Sequence, residues 1–331
     1  MTATASPYVI GENVALPTYR VDTRDTPADV FVDLGPTDWN RLTWRDLGRP
    51  YRVERWAAEK REWEAEHGGT MPVKESWIRF NRHFHELFTT DTAAAMTSTR
   101  AQLVHAAAHL DLHGVKETTR ELLQLAVWNH VHRVEDAVWD PRGKRALFEG
   151  LDVKRPEILY LGAADGYEAM QLLAMYSGGH AVLVDYDDFC RTDRFGKFPE
   201  AYPFLGQGRI SYREDMAIDF EVADIRALTY GREFDIVLSV GLIEHFPDEY
   251  KHEAFELHRC FLKPGGVAII TTPRDQIRGR AFYTIMADYM NYGYRELMRV
   301  EQLGLYAHEN GLAVRRAGYI KAHNGLVCTM R

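Results

Sequence analysis

The hydrophobic pattern of the chain changes its period near residue 150. Before that point, apolar side chains recur at helical spacing in the segments 74–88 and 117–139. Segment 52–66 is rich in good helix formers, and segment 93–112 is rich in alanine. Segment 117–139 has the clearest apolar face, and Pro141 ends its pattern. The first part of the chain is therefore predicted to be helical.

After residue 150, short apolar runs alternate with stretches of helix length. The runs are Ile158–Leu161, Ala181–Val184, Glu221–Ala223, Phe234–Ser239, Val267–Thr271, Val314–Ile320 and Leu326–Met330. This alternation is typical of a mostly parallel sheet with helices on both faces. The turn between the last two runs is too short for a crossover, so these runs should form an antiparallel hairpin. The prediction is an α/β fold with seven strands, a C-terminal hairpin and an N-terminal helical lid.

Composition supports a globular protein with two unlike parts. The 331 residues are 46% hydrophobic and 27% charged, which excludes a mainly disordered chain. All seven tryptophans lie between Trp39 and Trp139, and residues 1–50 contain five prolines, as in an extended arm. We expect an arm and helical lid over 1–145, and a sheet domain over 146–331.

Charge and cysteine usage narrow the possible partners and compartments. Acids outnumber bases 48 to 40, so the net charge is −8, which argues against nucleic acid and anionic membranes as partners. Three widely spaced cysteines indicate a reducing compartment, and we expect a cytoplasmic protein without a signal peptide or membrane span. His105, His109 and His113 repeat every four residues, but the carboxylate of a zinc motif is missing, so no metal site is expected. The pattern leaves the oligomeric state open.

A glycine-containing loop follows the first predicted strand. Gly162-Ala163-Ala164-Asp165-Gly166 leads into a helix, and glycine lets a backbone turn sharply and approach a ligand. Asp185 follows the second strand, where an acid can accept hydrogen bonds from both hydroxyls of a ribose. Asp224 follows the third strand and is a candidate for an adenine amino group, with Asp215 as its rival.

Three segments together resemble a known family. ILYLGAADG (158–166), FDIVLSVGLIEH (234–245) and LKPGG (262–266) resemble, in order and spacing, motifs of the class I S-adenosylmethionine (SAM) dependent methyltransferases. The resemblance covers about residues 145–331 and implies a Rossmann-like sheet with SAM as cofactor at the carboxyl ends of the strands. The cofactor residues expected from the loops and the resemblance are Leu161, Gly162, Ala163, Ala164, Asp165, Gly166, Asp185, Tyr186, Asp224, Ile225, Ser239 and Gly241.

Two residues depart from the family pattern. Ala164 replaces the middle glycine of the loop, and Tyr160 replaces an acid that helps to hold the ammonium of the methionyl tail. Its loss leaves that ammonium less anchored, or passes the task to Asp165 or to a residue of the N-terminal part.

Three residues are candidates for catalysis. Tyr167 directly follows the loop and could face the sulfonium by cation–π attraction, although it could equally pack on the sheet. His245 could act as a general base or form part of the pocket wall. Asn129 lies in a polar cluster with His132, Glu135 and Asp136 that could contact a ligand or be solvated.

Two reactions fit such a site. The leading hypothesis is methyl transfer to a small metabolite, because the Asn/Asp-Pro-Pro-aromatic motif of nucleic-acid amino-methyltransferases is absent. The alternative, prompted by Tyr160, closes the aminobutyryl chain of SAM to azetidine-2-carboxylate and releases methylthioadenosine. A SAM-binding regulator without enzymatic activity is a third possibility. Segment 273–297, with four tyrosines, is expected to cover the substrate.

Overall fold

A computed structural model of the chain describes residues 9–10, 31–131, 147–176, 179–195, 210–211, 217–320 and 322–331. The strands are β1 (Val9–Ile10), β2 (Phe31–Asp33), β3 (Tyr51–Arg52), β4 (Glu157–Leu161), β5 (His180–Asp185), β6 (Ile210–Ser211), β7 (Ile218–Val222), β8 (Phe234–Val240), β9 (Leu262–Pro273), β10 (Glu296–Leu297), β11 (Leu312–Ile320) and β12 (His323–Met330). The helices are α1 (Trp44–Leu47), α2 (Ala58–His67), α3 (Val73–Thr89), α4 (Thr92–Ala108), α5 (Leu112–Asn129), α6 (Tyr167–Met175), α7 (Lys251–Cys260), α8 (Ile277–Ile285), α9 (Ala287–Met290) and α10 (Val300–Glu309).

The main sheet has the strand order β2-β11-β12-β9-β8-β4-β5-β7. Strands β4, β5, β7, β8 and β9 run parallel. Strand β12 pairs antiparallel with β9, β11 with β12, and β2 with β11. From β4 the chain adds β5 and β7 on one side and then β8 and β9 on the other. The direction of strand addition therefore reverses between β4 and β8, and ligands of open α/β sheets bind at the carboxyl ends beside such a switch point.

The predicted α/β class, the mostly parallel sheet and the C-terminal hairpin are confirmed. The sheet has one strand more than expected, because Phe31–Asp33 from the N-terminal arm pairs with β11. The third predicted run, Glu221–Ala223, also begins earlier, at Ile218.

Strand β4 alternates between two cores, one on each face of the sheet. Ile158 and Tyr160 pack with α6 and the helices that precede β4, whereas Leu159 and Leu161 pack with α7 and α10. This two-sided burial explains the nearly continuous apolar runs of the sequence, because both faces of a parallel sheet are covered.

The N-terminal part is helical, with two differences from the predicted bounds. Residues 51–52 form β3, which pairs with β10, and helix α2 begins only at Ala58. The chain turns between α4 and α5, where Leu110 has a φ of 54°, so the three spaced histidines do not share one helix. The predicted domain boundary at 145/146 and the end of the 117–139 segment lie outside the described residues. None of the described helices has the length and apolarity needed to cross a membrane.

Candidate functional site

The loop between β4 and α6 has an unusual backbone. Gly162, Ala164 and Gly166 have φ values of 66°, 50° and 78°, in the left-handed region that favours glycine. At Gly166 a Cβ atom would lie 2.5 Å from Cδ1 of Leu183, so the position also lacks space for a side chain. The predicted glycine turn is therefore present, with Ala164 in a conformation that few residues other than glycine adopt.

Asp185 at the end of β5 holds this loop in place. Its Oδ2 accepts a hydrogen bond of 2.9 Å from the backbone N–H of Ala164, and its Oδ1 accepts one of 3.3 Å from the N–H of Asp187. Burial raises the pKa of the Asp185 carboxyl, and the hydrogen bond from Ala164 opposes that shift. The acid predicted for the ribose thus lies directly beside the glycine loop.

A second group of cofactor candidates lies past the ends of β5 and β7. Asp224 pairs with Arg226 through side-chain hydrogen bonds of 2.7, 3.0 and 3.2 Å. This pairing lowers the pKa of the Asp224 carboxyl, as does a hydrogen bond from Tyr186. Ile225 is buried in the core. The structure therefore brings Tyr186 and Asp224 together, and the rival Asp215 lies outside the described residues.

Asp165 does not face outward from the loop. Its Oδ1 accepts from the N–H of Tyr167 at the start of α6 at 3.1 Å, and its Oδ2 is 3.3 Å from a guanidinium nitrogen of Arg194. Arg194 is 1% exposed, and its guanidinium also donates to Oδ1 of Asn81 on α3. The carboxylate of Asp165 thus connects the loop to helix α3 through Arg194.

Tyr160, which replaces the family acid, has a carboxylate as its own partner. Its hydroxyl donates to Oε2 of Glu168 on α6 at 2.7 Å, and both side chains are buried. Burial and then the charge of Glu168 hold the pKa of the tyrosine well above its usual value. An acid is therefore present next to position 160, supplied by the first turn of α6.

Helix α3 crosses the carboxyl ends of the central strands. At the β5 end, Arg82 donates to Oδ2 of Asp187 at 2.6 Å, and Asn81 lies 3.4 Å from the same oxygen. At the β8 end, the ring of Trp77 meets His245 edge-on with 4.3 Å between ring centroids. These contacts place α3 over the strand ends at which the cofactor is expected.

The segment after β8 lies beside the glycine loop, and the two border a crevice at the carboxyl ends of β4 and β8. Gly241 has a φ of 70°, and the side chain of Leu242 lies 3.2 Å from the place where a Cβ atom of Gly162 would be. Glu244 is 1% exposed, and neither of its carboxylate oxygens has a hydrogen-bond partner. The Nδ1 atom of His245 lies 2.7 Å from the carbonyl oxygen of Tyr294, which makes Nδ1 the protonated nitrogen.

Three more predicted residues are Tyr167, Asn129 and Ser239, whose side chains pack in the core or contact other helices. Tyr167 is 2% exposed and packs in the core on the α6 side of the sheet. Asn129 accepts from the hydroxyl of Thr92 at 3.3 Å, a contact between two helices of the N-terminal part. Ser239 is fully buried and lies 2.8 Å from Nε2 of His258 on α7, because it points to the same face of β8 as Val237. Asn129 was predicted to lie in a polar cluster with three other residues. These residues, His132, Glu135 and Asp136, lie outside the described part of the chain.

Three charged residues of this region were not predicted from the sequence. Arg194 and Arg295 are buried arginines whose carboxylate neighbours, Asp165 and Glu244, are distant along the chain, so no local motif marks these pairs. Glu244 was visible beside His245, but only its burial without a partner distinguishes it from its neighbour. Within segment 273–297, Tyr283 is buried and accepts from Arg295 at 3.3 Å.

Glu244 predicts a specific pH dependence of stability. Burial raises the pKa of its carboxyl from 4.5 to about 7, so the folded protein holds a proton there that the unfolded chain releases. This contribution to the free energy of unfolding falls as the pH rises from about 4.5 to about 7, by about 3 kcal/mol for a shift of this size. In Glu244→Gln this loss should be absent from urea titrations run across that range. The exposed Glu249→Gln should keep the wild-type slope, and an unchanged slope in Glu244→Gln would contradict the assignment.

Comparisons with known proteins give distant relatives of one kind. A ubiquinone biosynthesis O-methyltransferase of Bradyrhizobium sp. (strain ORS 278) is 24% identical over 200 residues, which cover 55% of this chain and 78% of that protein. The same enzyme of Azoarcus sp. (strain BH72) is 24% identical over 120 residues, which are 33% of this chain and half the length of that protein. No family model matches the chain. Among solved structures, an O-methyltransferase family protein from Burkholderia thailandensis is 16% identical over 64% of this chain and 70% of that chain, with a TM-score of 0.42.

The fold and the curated relatives confirm the resemblance to class I SAM-dependent methyltransferases. SAM is the cofactor of that family.

Proposed function

We propose that the protein transfers the methyl group of SAM to a small-molecule acceptor. The observation that carries this proposal is the left-handed loop at the switch point of the sheet, hydrogen-bonded to the acid at the end of the next strand. A nucleoside with a short charged tail fits such a crevice. When bound, SAM supplies a methyl group that is already activated by the sulfonium, so the protein mainly aligns the acceptor and excludes water.

We assign described residues to the ribose, the adenine and the methionyl tail of this cofactor. The free lone pairs of Asp185 would accept from the ribose hydroxyls. Tyr186, Asp224 and Ile225 would surround the adenine, and the loop backbone would face the methionyl tail. We assign the acid near the ammonium to Glu168, through its hydrogen bond with Tyr160. Ser239 is left out of this set because its hydroxyl is bonded to His258.

Helix α3 is our proposed lid. Its contacts with Asp187, Arg194 and His245 span the strand ends, and a helix there would exclude water from the transfer. In this account residues 1–145 act as arm and lid, and residues 146–331 carry the cofactor. The net charge of −8 favours a small molecule over nucleic acid as the acceptor. The three cysteines are free thiols, in keeping with our proposed location in the cytoplasm.

Asp185→Ala tests the cofactor assignment. We expect the variant to bind SAM more weakly by about 1–3 kcal/mol, because charged hydrogen bonds to the ribose and the support of the loop are lost. Equilibrium dialysis with labelled SAM measures the change. Asp188→Ala is the matched control, because Asp188 lies three residues away and its side chain is exposed and paired with Arg191. Equal affinities of the wild type and Asp185→Ala would mean that the end of β5 does not bind the ribose.

The cyclase alternative rested on the missing acid at position 160. Because Glu168 places a carboxylate against Tyr160, that motive is weakened, and we favour methyl transfer. The two reactions leave different products. Mass spectrometry of the protein incubated with SAM and a library of hydroxyl- and amine-bearing metabolites should give S-adenosylhomocysteine with one of them. Methylthioadenosine formed from SAM alone would instead support the cyclase.

A further inference from the structure

Two neighbouring buried side chains in the described part of the chain carry hydrogen-bonding atoms without a partner. Both carboxylate oxygens of Glu244 and the Nε atom of Arg295 have no hydrogen-bond partner. The Nη1 atom of Arg295 lies 3.8 Å from Oε1 of Glu244, which is a loose ion pair. Buried polar groups are costly without partners and are rarely left so. Such a pair is expected where a ligand supplies the missing hydrogen bonds.

The position of Glu244 relates it to the crevice between β4 and β8. Its Oε1 lies 3.3 Å from the place where a Cβ atom of Gly241 would be, directly after the carboxyl end of β8. The neighbouring Leu242 lies against Gly162 of the glycine loop. The unpartnered carboxylate thus stands on the side of the switch point opposite Asp185, where an acceptor beside the cofactor would lie.

The charged groups around Glu244 explain why this carboxylate, and not its neighbour, is suited to receive a proton. Burial and then the charge of Arg295 hold the pKa of His245 well below its usual value, so His245 is a neutral ring already bonded to Tyr294. Burial raises the pKa of Glu244 to about 7, the range in which a general base works best at neutral pH. The titratable and charged groups that surround it are His245, Lys251, Tyr283, Arg295 and Glu296.

The two cations near Glu244, Lys251 and Arg295, have other partners. The Nζ atom of Lys251 lies 2.8 Å from Oε2 of Glu296 and donates to the carbonyl oxygen of Ile243 at 3.1 Å. Arg295 donates to the hydroxyl of Tyr283 and to the carbonyl oxygen of Met290. Both cations are therefore fixed, and the carboxylate of Glu244 keeps its oxygens available.

We propose that Glu244 accepts the proton from the O–H or N–H group that is methylated, and that Arg295 positions this carboxylate. The inference rests on the proposed methyl transfer and defines its acceptor class as protic nucleophiles, with a phenol as the simplest case. In the transfer, the acceptor oxygen forms a bond to the methyl carbon, the bond from that carbon to sulfur breaks with its electron pair remaining on sulfur, and the oxygen's proton passes to Glu244.

Two probe compounds test whether binding depends on the proton of the acceptor. Phenol and its methyl ether anisole have the same ring, but only phenol has an O–H to donate. Titrations of both into the protein saturated with S-adenosylhomocysteine are followed by ligand-observed NMR. We expect the wild type to bind phenol at least about tenfold more tightly than anisole above pH 7, because a hydrogen bond to a charged group is lost in the ether. This preference should shrink as the pH falls through about 7 and Glu244 becomes protonated.

Glu244→Gln and Glu249→Gln are the matched variants. The first should reduce the preference for phenol by about tenfold and make it independent of pH, because the charged acceptor becomes a neutral amide. The second changes an exposed glutamate five residues away and should behave as the wild type. Arg295→Lys keeps the charge and should retain part of the pH-dependent preference. The probe comparison in the wild type needs no variant, so a misfolded variant does not decide the outcome.

The results separate this inference from the proposed function. Wild-type protein that binds SAM but does not distinguish phenol from anisole overturns the role of Glu244 and leaves methyl transfer standing. The same holds for a preference that persists in Glu244→Gln. Wild-type protein that binds neither SAM nor S-adenosylhomocysteine overturns the proposed function itself.

Discussion

Replacing Arg194 with methionine is expected to lower the free energy of unfolding by about 3–5 kcal/mol, because it leaves the carboxylate of Asp165 buried beside an apolar side chain. Arg194 is 1% exposed, and solvent therefore does not take over the interaction. The guanidinium also joins Asn81 of α3 to the glycine loop, so the same change should loosen the proposed lid.

Urea unfolding measures the first effect, and hydrogen exchange along α3 measures the second. Arg191→Met is the matched control on the same turn of chain, because Arg191 is half exposed and pairs with the exposed Asp188. It should cost less than about 1 kcal/mol, as exposed ion pairs do. Equal effects of the two substitutions would mean that the buried pair does not connect the loop to α3. Loss of stability without faster exchange in α3 would limit Arg194 to a role in the loop.

Gly166→Ala is expected to destabilise the protein by about 2–5 kcal/mol, the sum of two causes. Its φ of 78° is unfavourable for any residue with a Cβ atom, and that atom would lie 2.5 Å from Leu183 and 3.3 Å from Phe195. The variant should also bind SAM weakly, because the loop that it distorts faces the proposed cofactor.

Gly265→Ala separates the two causes. Gly265 has a φ of 84°, but nothing lies within 4 Å of the place where its Cβ atom would be. Its substitution should therefore cost only the conformational part, about 1–2 kcal/mol. A cost at Gly166 no larger than that at Gly265 would show that the space around Leu183 adapts. Thermal unfolding of the two variants beside the wild type gives the comparison.

Much of the sheet was predictable because its determinants are local. Runs such as Ile158–Leu161 are apolar on both faces, and their alternation with helix-length segments sets a parallel sheet. Strand β2 was not predictable in this way. Its three residues are too few to show a strand period, and they become a strand by pairing with β11 at the edge of the sheet.

The candidate site was predictable only as far as the chain's local motifs extend. The loop and Asp185 follow consecutive strands, so their proximity follows from the topology. Alternation along β8 turns the hydroxyl of Ser239 towards His258, a partner that the local motif does not indicate. The contacts of Arg194 and Arg295 depend on how α3 and segment 273–297 pack, and packing between distant segments leaves no periodic signal in the sequence.

The central claim is that the loop between β4 and α6 binds SAM. Calorimetric titration of the wild-type protein with SAM tests it most directly, with S-adenosylhomocysteine as a competitor for the same site. We predict saturable binding of one SAM per chain. Prior addition of S-adenosylhomocysteine should abolish this binding, and Gly166→Ala should weaken it. A folded wild-type protein that gives no binding heat with either compound, and no change in its unfolding temperature, would contradict the account.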